Sequence, residues 1–337
     1  MNQPDSGAAP VESFPSPMPF KDRTVGLVVF GILTILLGGM AALFVLVMLA
    51  QVVFARAITA TPSFSVMLPG ISIYGFMAVA LVWLGIGSIK ARRWARALLL
   101  IFSWSWLIVG VLTSFFMAFL MPRILAHIPA GGTTGQPAMP PVAQSIAMAV
   151  MFLFLGVFFV ILPSVWTVFY CSRHVKATCE TRDPETRWTD ACPLPVLGLS
   201  VLLMVSAPMM LLMPMSGHCV LPFFGVFLTG IPGAVFCLIF AAVWAYAAWL
   251  LYKLEQRGWW LVLIVFFVNL VSGLLTFARH DMMDMYRLMD YPEAQLEQIQ
   301  KSGMVIGNHM AWIMLFSMLP VLGYLLFIRK FFRRAGS

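Results

Sequence analysis

Charged side chains are scarce in this sequence. Asp, Glu, Lys and Arg make up 10% of the 337 residues and apolar residues 61%, whereas soluble domains average about 25% charged and 45–50% apolar residues. A soluble fold of this length needs polar side chains to cover its surface. This composition excludes an ordinary soluble protein and predicts that the lipid bilayer is part of the solvent.

Charge is absent altogether from seven long stretches, each long enough for the roughly 20 apolar residues that cross a bilayer as a helix. The longest is interrupted by Pro214, Gly217, His218 and Pro222, so we divide it into two spans. Barrel strands are short and alternating, which these runs are not. We therefore predict an all-α polytopic helix bundle of about eight transmembrane helices. The predicted spans are Thr24–Phe54, Pro69–Ile89, Ala97–Met121, Ala143–Tyr170, Leu194–Pro214, Pro232–Tyr252, Gly258–Ala278 and Val305–Ile328.

The basic residues give the orientation. With the N-terminus in the cytoplasm, sixteen Lys and Arg residues fall on the inner side and five on the outer side. Cytoplasmic loops carry this excess in membrane proteins. We therefore expect a multi-pass protein of the cell inner (plasma) membrane with both termini in the cytoplasm. The net charge of +8 is then a topology signal, and no nucleic-acid partner is predicted.

Similar features recur in the same order in the two halves of the chain. Leu162-Pro163 and Leu319-Pro320 each precede a basic cluster, and Gly110-Val111-Leu112-Thr113 resembles Gly273-Leu274-Leu275-Thr276. This pattern predicts two similar four-helix halves of the same orientation. The expected organisation is a disordered cytoplasmic tail (1–23), a first membrane half (24–176), a cytoplasmic connector (177–193) and a second membrane half (194–334).

Two patches carry a resemblance to known sequences. The opening Phe20-Lys21-Asp22-Arg23-Thr24 and the connector residues Arg182-Asp183-Pro184, Arg187-Trp188-Thr189-Asp190 and Cys192-Pro193 resemble uncharacterised bacterial multi-pass inner-membrane proteins. That family has no assigned activity, so the resemblance implies a membrane location and no functional residue.

Ionisable residues are nearly absent inside the predicted spans, although proton- and ion-coupled transporters keep such groups at membrane depth. Phosphate-binding loops and hydrolase or dinucleotide motifs are also absent. We therefore predict a non-enzymatic protein without a cofactor. It would be either an interaction component with a membrane-protein partner or a carrier of a small apolar solute, and a carrier would need a cavity between the halves.

Soft metal ligands near the predicted outer surface suggest an alternative, the handling of copper(I). The weak candidates are Met213, His218, Cys219, His280 and Met282, since thioether, thiol and imidazole ligands favour Cu(I). A competing interpretation is an interfacial helix, because Met282, Met285, Tyr286 and Met289 follow helical spacing. We predict no bound metal from the sequence alone.

A further alternative is a lipid-modifying intramembrane enzyme. His280-Asp281-x-x-Asp284 faintly resembles aspartate motifs that bind diphosphate and magnesium. His280 and Asp284 would share one helix face, whereas Asp281 would be turned by about 100°. The motif lacks a second acidic partner and lies on the predicted outer side.

The topology can be tested with reporter fusions. We expect fusions after the Arg92–Arg93 turn and after the C-terminal Arg333–Arg334 pair to report the same, cytoplasmic side. Fusions at Arg123 and Arg287 should report the opposite side. Placement of the first two sites across the bilayer from each other would contradict the eight-span arrangement.

Overall fold

The computed structural model describes residues 21–55, 64–127, 141–215, 219–289 and 310–335, with a few isolated positions between the last two ranges. Eight helical segments in these ranges are long and apolar enough to cross a membrane. This confirms the predicted polytopic helix bundle. The spanning elements are α1 (Thr24–Ala55), α2 (Phe64–Ile89), α3 (Arg93–His127), α4 (Pro141–Leu155) with α5 (Leu162–Cys171), α7 (Leu194–Met215), α8 (Gly230–Tyr252), α9 (Gln256–Phe277) and α11 (Met310–Ala335).

The remaining elements are short. Helix α6 (Arg173–Arg182) begins four residues before the predicted connector, so from here on the connector means residues 173–193, which also contain a 3₁₀ turn (Trp188–Asp190); α10 (Met282–Leu288) follows α9. Of the predicted tail, residues 1–20 lie outside the described ranges. Its last residues, Lys21–Arg23, run into α1 and contact α6, where the Arg23 amide donates to Thr178 Oγ1 at 3.2 Å.

A β-hairpin replaces the short loop predicted between the fifth and sixth spans. Strands β1 (Val220–Phe223) and β2 (Val226–Thr229) pair antiparallel, with Phe223 opposite Val226. Phe224 and Gly225 both have positive φ, 42° and 93°, as a two-residue hairpin turn requires. Their amides donate to Ser272 Oγ and Thr276 Oγ1 of α9, both at 3.0 Å, so the hairpin is anchored to a spanning helix.

One end of the bundle collects most of the basic residues. The α2–α3 turn, the connector, the α8–α9 turn and the end of α11 lie there, and hydrogen bonds join the first three of these segments. We call this the basic end and the opposite one the hairpin end. Because α3 begins at Arg93, one turn before the predicted Ala97, Arg93 and Arg96 belong to its first turn.

Glycine allows α1 and α2 to approach closely. A Cβ on Gly31 would lie 2.8 Å from the Gly85 carbonyl oxygen, and one on Gly85 would lie 2.7 Å from the Gly31 carbonyl oxygen. Small residues at helix crossings give this backbone approach in membranes. The same pair is joined by Ser88 Oγ, which donates to the Leu27 carbonyl at 3.0 Å.

The same turn occurs twice at the basic end. Ala91 and Leu254 have φ of 50° and 59° although neither is glycine. In both turns the amide of this residue donates to the carbonyl three residues earlier, and the next amide donates to the carbonyl five residues before it. This is the Schellman pattern of a helix C-terminus. Many helices end in this way, so the duplication stays a prediction.

Gly110 and Gly273 also occupy matching positions, separated along the chain by the same number of residues as Ala91 and Leu254. A Cβ on Gly110 would overlap the Phe159 carbonyl oxygen in the fourth span, and one on Gly273 would overlap Met314 in the eighth. Phe159 belongs to a π-helical turn (Gly156–Ile161). Because Gly110 has no side chain, the backbone of α3 can approach this carbonyl closely.

Each half has its own apolar core. Leu27, Leu99, Trp166 and Tyr170 belong to the first, whereas residues of α7, α8, α9 and α11 form the second. The cores interlock, because Ile101 of the first half packs against the second core and Leu194 of the second half packs against the first. The two halves are therefore closely packed where they meet.

The α1–α2 crossing yields a stability prediction. Gly31→Ala should destabilise the protein by about 1–3 kcal/mol, because the added methyl group meets backbone that cannot move aside. Gly39→Ala is the matched control in the same helix, since nothing lies within 4 Å of its Cβ position. The control should be neutral or slightly stabilising. Equal thermal unfolding temperatures of the two variants in detergent would contradict the close crossing.

Candidate functional site: the connector pocket

The connector leaves the membrane half through a sharp change of direction. Ser172 has extended backbone, with φ −58° and ψ 134°, and separates α5 from α6. Helix α6 ends before Asp183-Pro184, as expected because a residue before proline disfavours helical geometry. Lys176 and Glu180 lie 3.7 Å apart on one face of α6.

A buried carboxylate holds the connector in place. Asp183 is 2% exposed and accepts hydrogen bonds from three groups. Arg187 Nη2 donates at 2.8 Å, the Arg93 backbone amide at 3.2 Å and Arg92 Nη1 at 3.3 Å. The hydrogen bond from Arg187 is the main reason that the pKa of Asp183 lies below its usual value. The connector is thereby fixed to the α2–α3 turn.

Further contacts tie the connector to the second half and to the N-terminal segment. Tyr252 Oη at the end of α8 donates to the Trp188 carbonyl at 3.0 Å. Asp22 lies 3.8 Å from Arg182, so the two patches that carry the family resemblance meet in space. The connector thus contacts both halves at the basic end.

A polar cavity of about 320 Å³ lies between the connector and the first turn of α3. We call it the connector pocket. Residues of the first half, the connector and the start of α7 line it: Arg93, Arg96, Ala97, Lys176, Cys179, Glu180, Thr189, Asp190, Cys192 and Leu194. It is therefore the place where the two halves and the connector share one cavity.

One of the basic side chains that line the pocket has no acidic partner among the described residues. Arg93 lies 3.4 Å from Glu180 and 3.7 Å from Asp190, and Glu180 is also 3.7 Å from Lys176. Arg96 takes part in no ion pair within the described part of the chain, and its buried Nε has no hydrogen-bond partner there. Thr189 Oγ1, also buried, has none among those residues either. Buried polar atoms normally have partners. Both residues line the connector pocket, but these two atoms are closed off from it, so a polar ligand would reach them only after a small side-chain movement.

The two pocket cysteines are neutral. Burial raises the pKa of Cys179 and of Cys192 to about 11, so both remain thiols at neutral pH. A thiolate is the form that attacks or binds metals. No group of three or more His, Cys, Asp or Glu residues able to hold a metal ion occurs in the described ranges.

The described residues among the copper candidates lie near the hairpin end. His218 is outside the described residues, Met213 is exposed near the end of α7, and Met282 begins α10. Cys219 is buried, and its Sγ lies 3.6 Å from Cys237 Sγ of α8. This cysteine pair was missed because Cys237 lies within a predicted span, eighteen positions after Cys219.

The aspartates of the lipid-enzyme hypothesis have a local structural role. Asp281 precedes α10 and forms a capping box with Asp284, whose Oδ2 accepts the Asp281 amide at 3.3 Å. His280 Nδ1 is 3.7 Å from Asp284, and its ring lies 5.4 Å from that of Phe227. Asn269 donates to the Val265 carbonyl of its own helix at 2.8 Å.

Sequence reasoning did not find the connector pocket. It counted Arg93, Arg96 and Lys176 only as topology charges. One signal was available, since Arg93 and Arg96 are three residues apart and share a helix face once α3 is known to start at Arg93. Comparisons with family models, curated proteins and solved structures found no match to this chain, so the family resemblance stays a prediction.

The role of Asp183 can be tested by amide hydrogen exchange of residues 173–190 in the detergent-solubilised protein. Asp183→Asn should raise exchange roughly tenfold or more, because it removes the charge that orders this segment. Glu185→Gln is the control, since the Glu185 side chain is 74% exposed and exposed pairs contribute little.

The pH dependence follows from the same carboxylate. Because the pKa of Asp183 is depressed in the folded protein, its stabilisation is complete above the usual Asp value of about 3.9. It should be lost as the pH falls below that value towards the folded pKa. Protection of the connector that is equal in wild type and Asp183→Asn at neutral pH would refute the anchoring role.

Proposed function

We propose that this membrane protein is a non-enzymatic interaction component that presents its connector to a partner protein. The observation that carries the proposal is the order imposed on the connector by Asp183 and Tyr252. An ordered segment contributes more to binding than a flexible one, because less conformational entropy is lost on association.

The outer surface of the connector has the composition of a binding site. Trp188 is 48% exposed, although its backbone carbonyl is held by Tyr252. Exposed charged side chains also occur on α6 and in the connector, with exposed fractions of 58% for Lys176, 54% for Arg182 and 74% for Glu185. Tryptophan and arginine are enriched among residues that dominate binding energy.

The packing between the halves favours an interaction role over that of an apolar-solute carrier. Ile101 and Leu194 interlock the two cores, and a Cβ on Gly198 of α7 would already lie 3.6 Å from Ile101. The cavity that touches both halves is polar and lies at the basic end. A carrier would have to separate these contacts in each transport cycle.

The basic end faces the cytoplasm of the cell in this proposal, with the plasma (inner) membrane as its location, because Lys and Arg remain on the cytoplasmic side. Copper handling and lipid modification stay as alternative hypotheses. No specific geometric observation favours either hypothesis. Cys219 contacts Cys237, and Asp281 and Asp284 cap α10.

Site-specific photo-crosslinking in cells tests the proposal. A photoreactive residue in place of Trp188 should give a discrete protein adduct, because this side chain is about half exposed on the connector. Trp249 of α8 is the matched control, being 48% exposed as well but located in a span. It should crosslink to lipid only.

An engineered disulfide across the contact between the two halves distinguishes the carrier hypothesis from the interaction role. Ile101→Cys with Gly198→Cys, once oxidised, should leave the adduct at position 188 intact, since the proposal requires no separation of the halves. Lipid adducts alone at position 188, as at position 249, would overturn the proposed function.

A further inference from the structure

The charges of the connector pocket are arranged by depth. The Arg93 side chain is 18% exposed, whereas the Glu180 and Asp190 side chains paired with it are 40% and 35% exposed. The carboxylates therefore lie nearer to solvent and the Arg93 guanidinium deeper. Since Arg96 adds an unpaired charge, the interior of the cavity is positive.

Neutral hydrogen-bond donors complete the lining. Thr189 supplies a hydroxyl without a partner in the described structure, and Cys179 supplies a protonated thiol, whereas the Cys192 thiol already donates to the Pro193 carbonyl at 3.8 Å. These groups can approach an anion without repelling it. A guanidinium with free N–H groups, next to hydroxyl and thiol donors, matches the oxygens of a tetrahedral oxyanion.

The size of the cavity sets the class of ligand. Its volume of about 320 Å³ is roughly ten times the share of one water molecule in the liquid and lies at the lower end of small-molecule sites. A phosphate group with a small substituent fits this volume. Ala97 and Leu194 form an apolar part of the wall where α3 and α7 enter the membrane.

We propose that the connector pocket binds the phosphate group of a phosphomonoester, with Arg96 as the principal cationic contact and Thr189 as a hydroxyl donor. The phosphate could belong to a lipid headgroup at the membrane surface or to a soluble phosphate ester, because both present the same oxyanion. The inference does not depend on a partner protein for the connector.

Binding is tested on the full-length protein, purified in detergent and delipidated, by titration calorimetry with two probes. Glycerol 3-phosphate represents the soluble source, and dihexanoyl phosphatidic acid represents the lipid source. Saturable binding of both probes with similar affinity indicates a soluble ester, and binding of the lipid probe alone indicates a headgroup. Either result supports the proposal, whereas the absence of saturable binding at millimolar concentrations of both probes overturns it.

Substitutions test whether Arg96 is the cationic contact of the phosphate group. Arg96→Gln should weaken binding about tenfold or more, because a charge-assisted hydrogen-bonding pair is lost. Arg257→Gln is the matched control, since Arg257 is an exposed arginine at the same end that does not line the pocket. Equal affinity of wild type and Arg96→Gln would overturn the assignment.

Thiol alkylation gives a second readout on the same samples. The buried thiols Cys179 and Cys192 can be alkylated only when the pocket opens locally, so the bound probe should slow their alkylation further and leave the exposed Cys171 unaffected. In Arg96→Gln this protection should be lost, while alkylation without probe stays at the wild-type rate if the fold is intact. Protection that persists in Arg96→Gln would overturn the proposal, and this outcome is independent of any adduct at Trp188.

Discussion

The structure of the basic end depends on the hydrogen bonds that the buried carboxylate of Asp183 accepts. It accepts hydrogen bonds from two arginine side chains and one backbone amide, and the positive charges compensate for its removal from water. Breaking a buried pair leaves an uncompensated charge, which costs more than the pair itself contributes. The connector therefore folds back on the α2–α3 turn, and this return encloses the cavity that Arg93 and Arg96 line.

The two halves that the sequence predicts share local backbone structure at two pairs of positions, although the side chains there differ. The αL residue of the repeated turn is alanine in one half and leucine in the other, and the glycines at 110 and 273 meet a carbonyl and a methionine respectively. What recurs is the backbone conformation and the helix neighbour, whereas the packing atoms differ. Sequence similarity would then fade while the helix arrangement stays, which fits a duplication whose halves have diverged.

The sequence predicted the spans well because one physical constraint governs them. A charge-free run of about 20 residues has few alternatives to a transmembrane helix, so eight spans followed from counting. The hairpin was missed because Val220–Thr229 is apolar and lies inside the longest charge-free stretch. The connector pocket was missed because its lining comes from segments far apart in the chain, and a single sequence does not show which helix ends are neighbours. Arg96 is distinguished from the other basic residues only by its neighbours in the folded protein, which leave it without an ion pair in the part of the chain that the structure describes.

The two ends of the bundle are held by different chemistry, and this difference favours the basic end as the functional one. At the hairpin end, the hydroxyls of Ser272 and Thr276 accept hydrogen bonds from backbone amides. Such neutral hydrogen bonds respond little to pH or salt. At the basic end, the connector depends on ion pairs, which respond to pH, ionic strength and bound anions. An anion next to Arg96 would change the field around Arg93 and its partners Glu180 and Asp190. The order of the connector surface would then depend on occupancy of the pocket beneath it, which links a ligand at the membrane surface to the presentation of Trp188.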